Sequence, residues 1–378
     1  MERMKWIDGL KGIACVGIFY HHFFLRYAPE SYYGQSAGNL KFFIYLSESP
    51  LGFLINGNFW VYMFLLISGY VVCRRVVNTS YGEIPIFTIS RYLKLAIPIF
   101  ISETFYYVFY KLKIGGGAQL FTEADNINSF LIVPKNAFIQ VLFFGDTTFA
   151  GAFWMMNLVF LGGLLVIALS SLGKNYRNCL MWAFLIFTVI LLLRQSYYYS
   201  VILFGAFLYC FLDTVKISFP AALQVLGLVL GILLGGYPTG VVPEKGIYSY
   251  ITFSFISENA AVWHWLGSVL IFVSLFHCRY IKNFLETKMI QWVGGISYIF
   301  FVFHNFMRKI FDPLYFAVLE LFDSQILAIV IGSTVVITAL FAFCEIYART
   351  FGVCVSKAIK RFLNYVRIFN ARIVKILR

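Results

Sequence analysis

Lys11 and His22 are the first residues in this 378-residue chain whose types and spacing suit chemistry. Both fall in the apolar stretch from Trp6 to Phe24, long enough as a helix to cross a bilayer. Ionisable groups inside such a segment are costly and require a partner or a task. They are eleven positions apart. At roughly 100° and 1.5 Å per residue, that spacing puts them about 20° off a common face and about 16 Å apart along the axis. A cation could then grip an anionic group at one mouth of the membrane while an imidazole waits about half the hydrocarbon thickness deeper. Asp8 lies close to Lys11 in the same segment, and His21, turned about 100° from the shared face, is the weaker candidate.

Three further constellations stand out. Arg91 and Lys94 are three apart on one face of a helix start, a seat for phosphate or a pair of cations snorkelling to an interface. Ser68 and Gly69 interrupt a bulky apolar run and admit either a neighbouring helix or a thin ligand chain. Ser297 and Tyr298 recur seven residues later as His304 and Asn305, each pair about 20° off two full turns. Counted from the predicted helix starts, His304 rises about 21 Å and His22 about 24 Å, so the two imidazoles reach a similar depth. Asn157 is expected to join helices, and His264, between Trp263 and Trp265, to be structural. Glu345 should have a cationic partner, with Lys11 and Arg91 at its predicted depth.

The elements that must position these residues are membrane helices. Hydrophobic residues make up 61% of the chain and mean hydropathy is +0.81, which excludes a soluble globule. The net charge of +13 fits cationic loops on the cytoplasmic side better than nucleic-acid binding. Seven scattered cysteines without metal-ligand spacing read as packing residues, and no metal is expected. Apolar runs at 7–27, 51–73, 89–110, 150–171, 178–193, 197–214, 219–236, 256–276, 290–311 and 326–347 predict about ten transmembrane helices. Lys5, Arg74, Arg75, Lys174, Arg177, Arg279, Lys282 and Lys288 fall on one side, and Glu30, Glu48, Asp146 and Glu244 on the other, so both termini are predicted cytoplasmic. Residues 136–144 are too short to span and are expected to be re-entrant or interfacial. The chain divides into a transmembrane domain, 1–350, and a basic amphipathic tail, 351–378, suited to an anionic inner leaflet. The charged start shows no cleavable leader pattern.

Taken together these motifs resemble acyltransferase family 3, the integral membrane enzymes that acylate mostly cell-surface carbohydrates. The resemblance rests on Ile7-Asp-Gly-Leu-Lys-Gly-Ile-Ala with Lys11 and His22 in an Arg/Lys-x10-His pattern, and on Phe64-Leu-Leu-Ile-Ser-Gly. It continues with Arg91-Tyr-Leu-Lys94 before Pro98, and with Ile296-Ser-Tyr through His304. The chain departs from the family at three places. Lys94 replaces an arginine and loses its bidentate fork, Val159 stands where the family has glutamate, and Glu345-Ile-Tyr347 lacks a terminal proline. No SGNH hydrolase-like domain is expected to follow.

The resemblance implies acetyl-CoA as acyl donor from the cytoplasm, a glycan hydroxyl as acceptor on the far side, and an inner (plasma) membrane location. Lys11, Arg91 and Lys94 would hold the nucleotide and diphosphate, with the pantetheine arm passing Ser68 and Gly69 to His22. His22 would act as general base or, by a rival route, carry the acyl group, while His304 or Tyr298 orients it or stabilises the oxyanion. A transporter or flippase for a lipid-linked sugar would use the same charges along a path and predicts paired, broken helices.

Overall fold

The computed structural model describes residues 4–113, 129–215, 219–244 and 246–376, and the described residues are helical with no strand. The principal helices are α1 (Lys5–Tyr27), α2 (Gly57–Val77), α3 (Ile84–Lys111), α4 (Trp154–Gly173), α5 (Arg177–Leu193) and α6 (Tyr197–Val215). They continue with α7 (Ala221–Gly235), α8 (Asn259–His277), α9 (Lys288–Ile310), α10 (Gln325–Arg349) and α11 (Phe351–Ile376). The first ten coincide with the apolar runs. Six candidate spans are long and apolar enough to cross a membrane, and they contain α2, α3, α4, α6, α8 and α10. The helices α5 and α7 are apolar but short, while α1 and α9 carry the polar residues of interest and fall outside that set.

The bundle is organised around α2, which packs against α1, α4, α6 and α8. An apolar helix packed among several helices buries most of its surface, and here small residues let backbones meet. A Cβ at Gly69 would collide with the Ile202 carbonyl of α6, and one at Gly205 with the Leu66 carbonyl of α2. Gly69 therefore serves the α2–α6 crossing. The same device joins α1 to α9, where Gly12 lies against Gly294, and Gly294 against the Asp8 carbonyl. This contact brings the helix of Lys11 and His22 alongside the helix of Tyr298 and His304.

Residues Asn136–Phe144 form a widened helical turn, a π-helix, wedged between α3 and α4. Its carbonyls are satisfied from both neighbours: Tyr92 donates to the Phe138 carbonyl at 2.9 Å and Asn157 to the Leu142 carbonyl at 3.1 Å. Backbone that departs from α-geometry within such a bundle is held by side-chain donors of this kind. Asn157 is thus the interhelical link expected of it. In the tail, α11 lays Ile359 and Leu363 against Ile86 of α3, and Arg367 pairs with Glu83 at 2.6 Å. The last two residues of the tail lie outside the described residues.

Candidate active site

Two cavities flank the α1–α9 contact. The smaller, about 190 Å³, is lined by Lys11, Ser68, Arg91, Ser297 and Tyr298 among others. Arg91 dominates it. Its Nη2 donates to Ser68 Oγ at 3.0 Å and to the Val159 carbonyl at 2.9 Å, and its Nε is buried with no hydrogen-bond partner. None of the ion pairs found among the described residues includes it. That Nε lies against Gly163 of α4, and what the arginine brings to the cavity wall is its charge, not paired with a carboxylate in any of these ion pairs. Val159, where the resemblance would place a carboxylate, contributes its backbone carbonyl to the same arginine. Lys11 is paired with Asp8 at 2.5 Å, so the local charge at that end of α1 is already partly balanced.

The other residues predicted for this side divide. Tyr298 lines the cavity, but its hydroxyl donates to the Leu95 carbonyl at 2.7 Å, tying α9 to α3. Lys94 is exposed and outside the lining, and Gly69 faces α6. Glu345 departs from expectation: it accepts from Trp292 Nε1 at 2.6 Å and pairs with Arg349 at 2.6 Å, one turn along its own helix. Local i,i+4 geometry supplies its cation, so neither Lys11 nor Arg91 is needed.

The larger cavity, about 650 Å³, is lined by His21, His22, Tyr32, Asn58, Tyr62, Trp154, Tyr198 and Glu258 among others. His22 and His304 lie ring against ring with centroids 5.1 Å apart, so the two do share a depth. His304 is buried and does not itself line the cavity. Its Nδ1–H donates to the Phe301 carbonyl at 2.5 Å, which leaves Nε2 as the lone-pair nitrogen, buried without a partner. The direction of that bond is set by chemistry, since a carbonyl can only accept. His22 therefore meets the cavity and His304 supports it from behind. His21 also lines the cavity, with its ring packed against Gly57 and 5.4 Å from the Tyr32 ring.

Sequence reasoning missed the aromatic wall. Tyr62 stacks on Tyr198 at 4.9 Å, and Trp154 lies 5.3 Å from Tyr198. Tyr198 donates to Asn58 Oδ1 at 2.8 Å, and Asn58 Nδ2 lies 3.2 Å from Nδ1 of buried His264. With its Nε2–H donating to the Tyr237 carbonyl at 2.8 Å, His264 is satisfied on both nitrogens. It is a structural histidine that aligns the wall. The only signal in the sequence was the run Tyr197-Tyr-Tyr199, which also suits an interfacial belt.

A multi-pass helical membrane protein with a cation-lined cavity on one side and a histidine-lined cavity on the other is what these elements define. Residues 4–344 match the family model of the acyltransferase domain of acyltransferase family 3, and the chain belongs to that family. Neither a curated protein nor a solved structure matches it.

Proposed function

We propose that the protein transfers an acetyl group from cytoplasmic acetyl-CoA to a hydroxyl of a cell-surface polysaccharide or lipid-linked glycan. The supporting observation is the partition of the site: Lys11 and Arg91 line one cavity, His22 lines the other, and Met155 and Phe301 line both. With ten crossings and both termini cytoplasmic in an inner membrane, the cation-lined cavity opens toward the donor's compartment, and the basic tail α11 rests on the anionic leaflet.

In this reading the charge of Arg91 at the cavity wall attracts the diphosphate, Lys11 adds charge at the mouth, and Lys94 meets the nucleotide from the exposed side. The pantetheine arm runs along Ser68 and Tyr298 and delivers the thioester carbonyl to His22. A hydroxyl is a weak nucleophile at neutral pH, and the His22 imidazole takes its proton as the oxygen attacks. The C–O bond forms, the C–S bond breaks, and the CoA thiolate leaves with the proton returned from His22. His304 fixes the position of His22 through their ring contact. The aromatic wall offers faces to a sugar ring, with Asn58 and Glu258 as polar partners.

Acyl transfer from labelled acetyl-CoA in membranes expressing the protein tests this. CoA release and label on surface glycan should both fall by about 10²–10⁴-fold in His22→Ala. Undiminished transfer by that variant sinks the assignment, and transbilayer movement of a labelled glycolipid without CoA turnover replaces it with a transporter.

A further inference from the structure

The charges lining the two cavities have opposite signs. Lys11 and Arg91 line the smaller one, whereas among the described residues Glu258 is the only Asp, Glu, Lys or Arg that lines the larger one. Glu258 immediately precedes α8, yet its side chain makes no capping hydrogen bond, and it takes part in none of the ion pairs found among the described residues. Arg194, next in sequence to the lining residue Gln195, is exposed and outside the lining. The charge of Glu258 is felt at the phenols of Tyr62, Tyr197 and Tyr198, which line the same cavity.

A carboxylate accepts hydrogen bonds and donates none. The hydroxyls of a neutral sugar and the ammonium group of an amino sugar supply the donors it lacks. The carboxylate of a uronic acid instead brings like charge, and no Lys or Arg among the described residues lines the cavity to answer it. The aromatic wall of Tyr62, Trp154 and Tyr198 works in the same sense, because a ring face attracts a cation and repels an anion.

We propose that Glu258 sets the charge of the acceptor: the larger cavity takes a sugar ring that is neutral or carries an ammonium group, and turns away one bearing a carboxylate or a phosphate. This rests on the reading of the larger cavity as the acceptor's side. The same separation of charge keeps the anionic donor beside Lys11 and Arg91.

The first readout is the charge of the cavity, which needs no knowledge of the acceptor. Ser196→Cys places a thiol in the lining of the purified full chain in lipid nanodiscs, with Cys179, Cys278 and Cys354 replaced by serine. Its rates with cationic and anionic methanethiosulfonates are taken at pH 8, above the ordinary imidazole value of about 6.5. Both are normalised to a neutral methanethiosulfonate and to free cysteine, which corrects for access. The cationic reagent should gain on the anionic one by about tenfold, and Glu258→Gln should reduce that preference by about threefold or more. Salt at 1 M, where the Debye length is about 3 Å, should reduce it too. The second readout is the ring that carries label from acetyl-CoA in the surface glycan, identified by mass spectrometry. A neutral or amino sugar is expected, and Glu258→Lys should lower its labelling by about tenfold. The proposal is overturned by a cation preference that is absent or unmoved by Glu258→Gln, by a thiol that no reagent reaches, by undiminished labelling in Glu258→Lys, or by label on a ring bearing a carboxylate or phosphate. The expected preference without any acetyl transfer instead refutes the acyl-transfer reading on which the proposal rests.

Discussion

Replacing Gly294 with alanine should separate the two helices that carry the site, while the same change at Gly295 should not. A Cβ at Gly294 would press on the Asp8 carbonyl, within 2.6 Å of its carbonyl carbon, whereas at Gly295 nothing lies within 4 Å. The obstacle at Gly294 is backbone and cannot rotate away. Restoring an ordinary carbon–carbon contact of about 3.5 Å requires α1 and α9 to part by roughly 1 Å. Forced overpacking of this kind costs about 1–3 kcal/mol. A displacement near 1 Å between His22 and His304 is enough to reduce turnover by about 10²-fold. Gly295 faces outward, and alanine there replaces the least favourable non-proline helix former with the most favourable, so stability should hold or rise slightly. Thermal unfolding in detergent and acetyl transfer in membranes give the two readouts. Equal stability and activity of Gly294→Ala and Gly295→Ala would refute the claim that this contact sets the geometry of the site.

Two other predictions concern charge. Arg91→Met removes a cation that lines the smaller cavity, and loss of one charge-assisted interaction with the donor, about 1.5–3 kcal/mol, should raise KM for acetyl-CoA by about tenfold to a hundredfold, with kcat changed far less. An unchanged KM in steady-state assays would remove Arg91 from donor binding. Asp146, in the segment between the π-helix and α4, accepts from Asn136 Nδ2 and the Thr148 N–H, both at 2.8 Å. Burial would raise its carboxyl, but these hydrogen bonds outweigh it and hold the group below 3.8. A depressed carboxylate adds stability that is fully present above 3.8 and is lost as pH falls through its lower folded value. The melting midpoint should therefore decline with acidification in that range, by a modest amount for a group this exposed, and Asp146→Asn should flatten that part of the profile. A profile identical in the two proteins would show that the bonds to Asp146 carry no net stability.

Helix placement followed from composition because membrane spans are specified locally: a helix satisfies its own backbone, and its length is set by the bilayer. The ten apolar runs and the shared face of Lys11 and His22 were therefore legible as linear spacing. Depth was legible too, since rise per residue is constant, and it brought His304 to His22. Which helices touch is another matter. Gly69 and Ser68 are adjacent in sequence, yet one meets the backbone of α6 and the other meets Arg91, and nothing in their order distinguishes them. Glu345 found Trp292 and Arg349 because side-chain reach and helix rotation, rather than depth alone, choose a partner. The aromatic wall and the pair Met155 and Phe301 that line both cavities draw on helices far apart in the chain, and in a sequence that is 20% aromatic no single ring announces itself. The sequence by itself determined the membrane helices, the chemical groups on them and their depth. Only the tertiary structure decided which groups share a cavity, because that depends on helix rotation and close backbone approach at a few glycines.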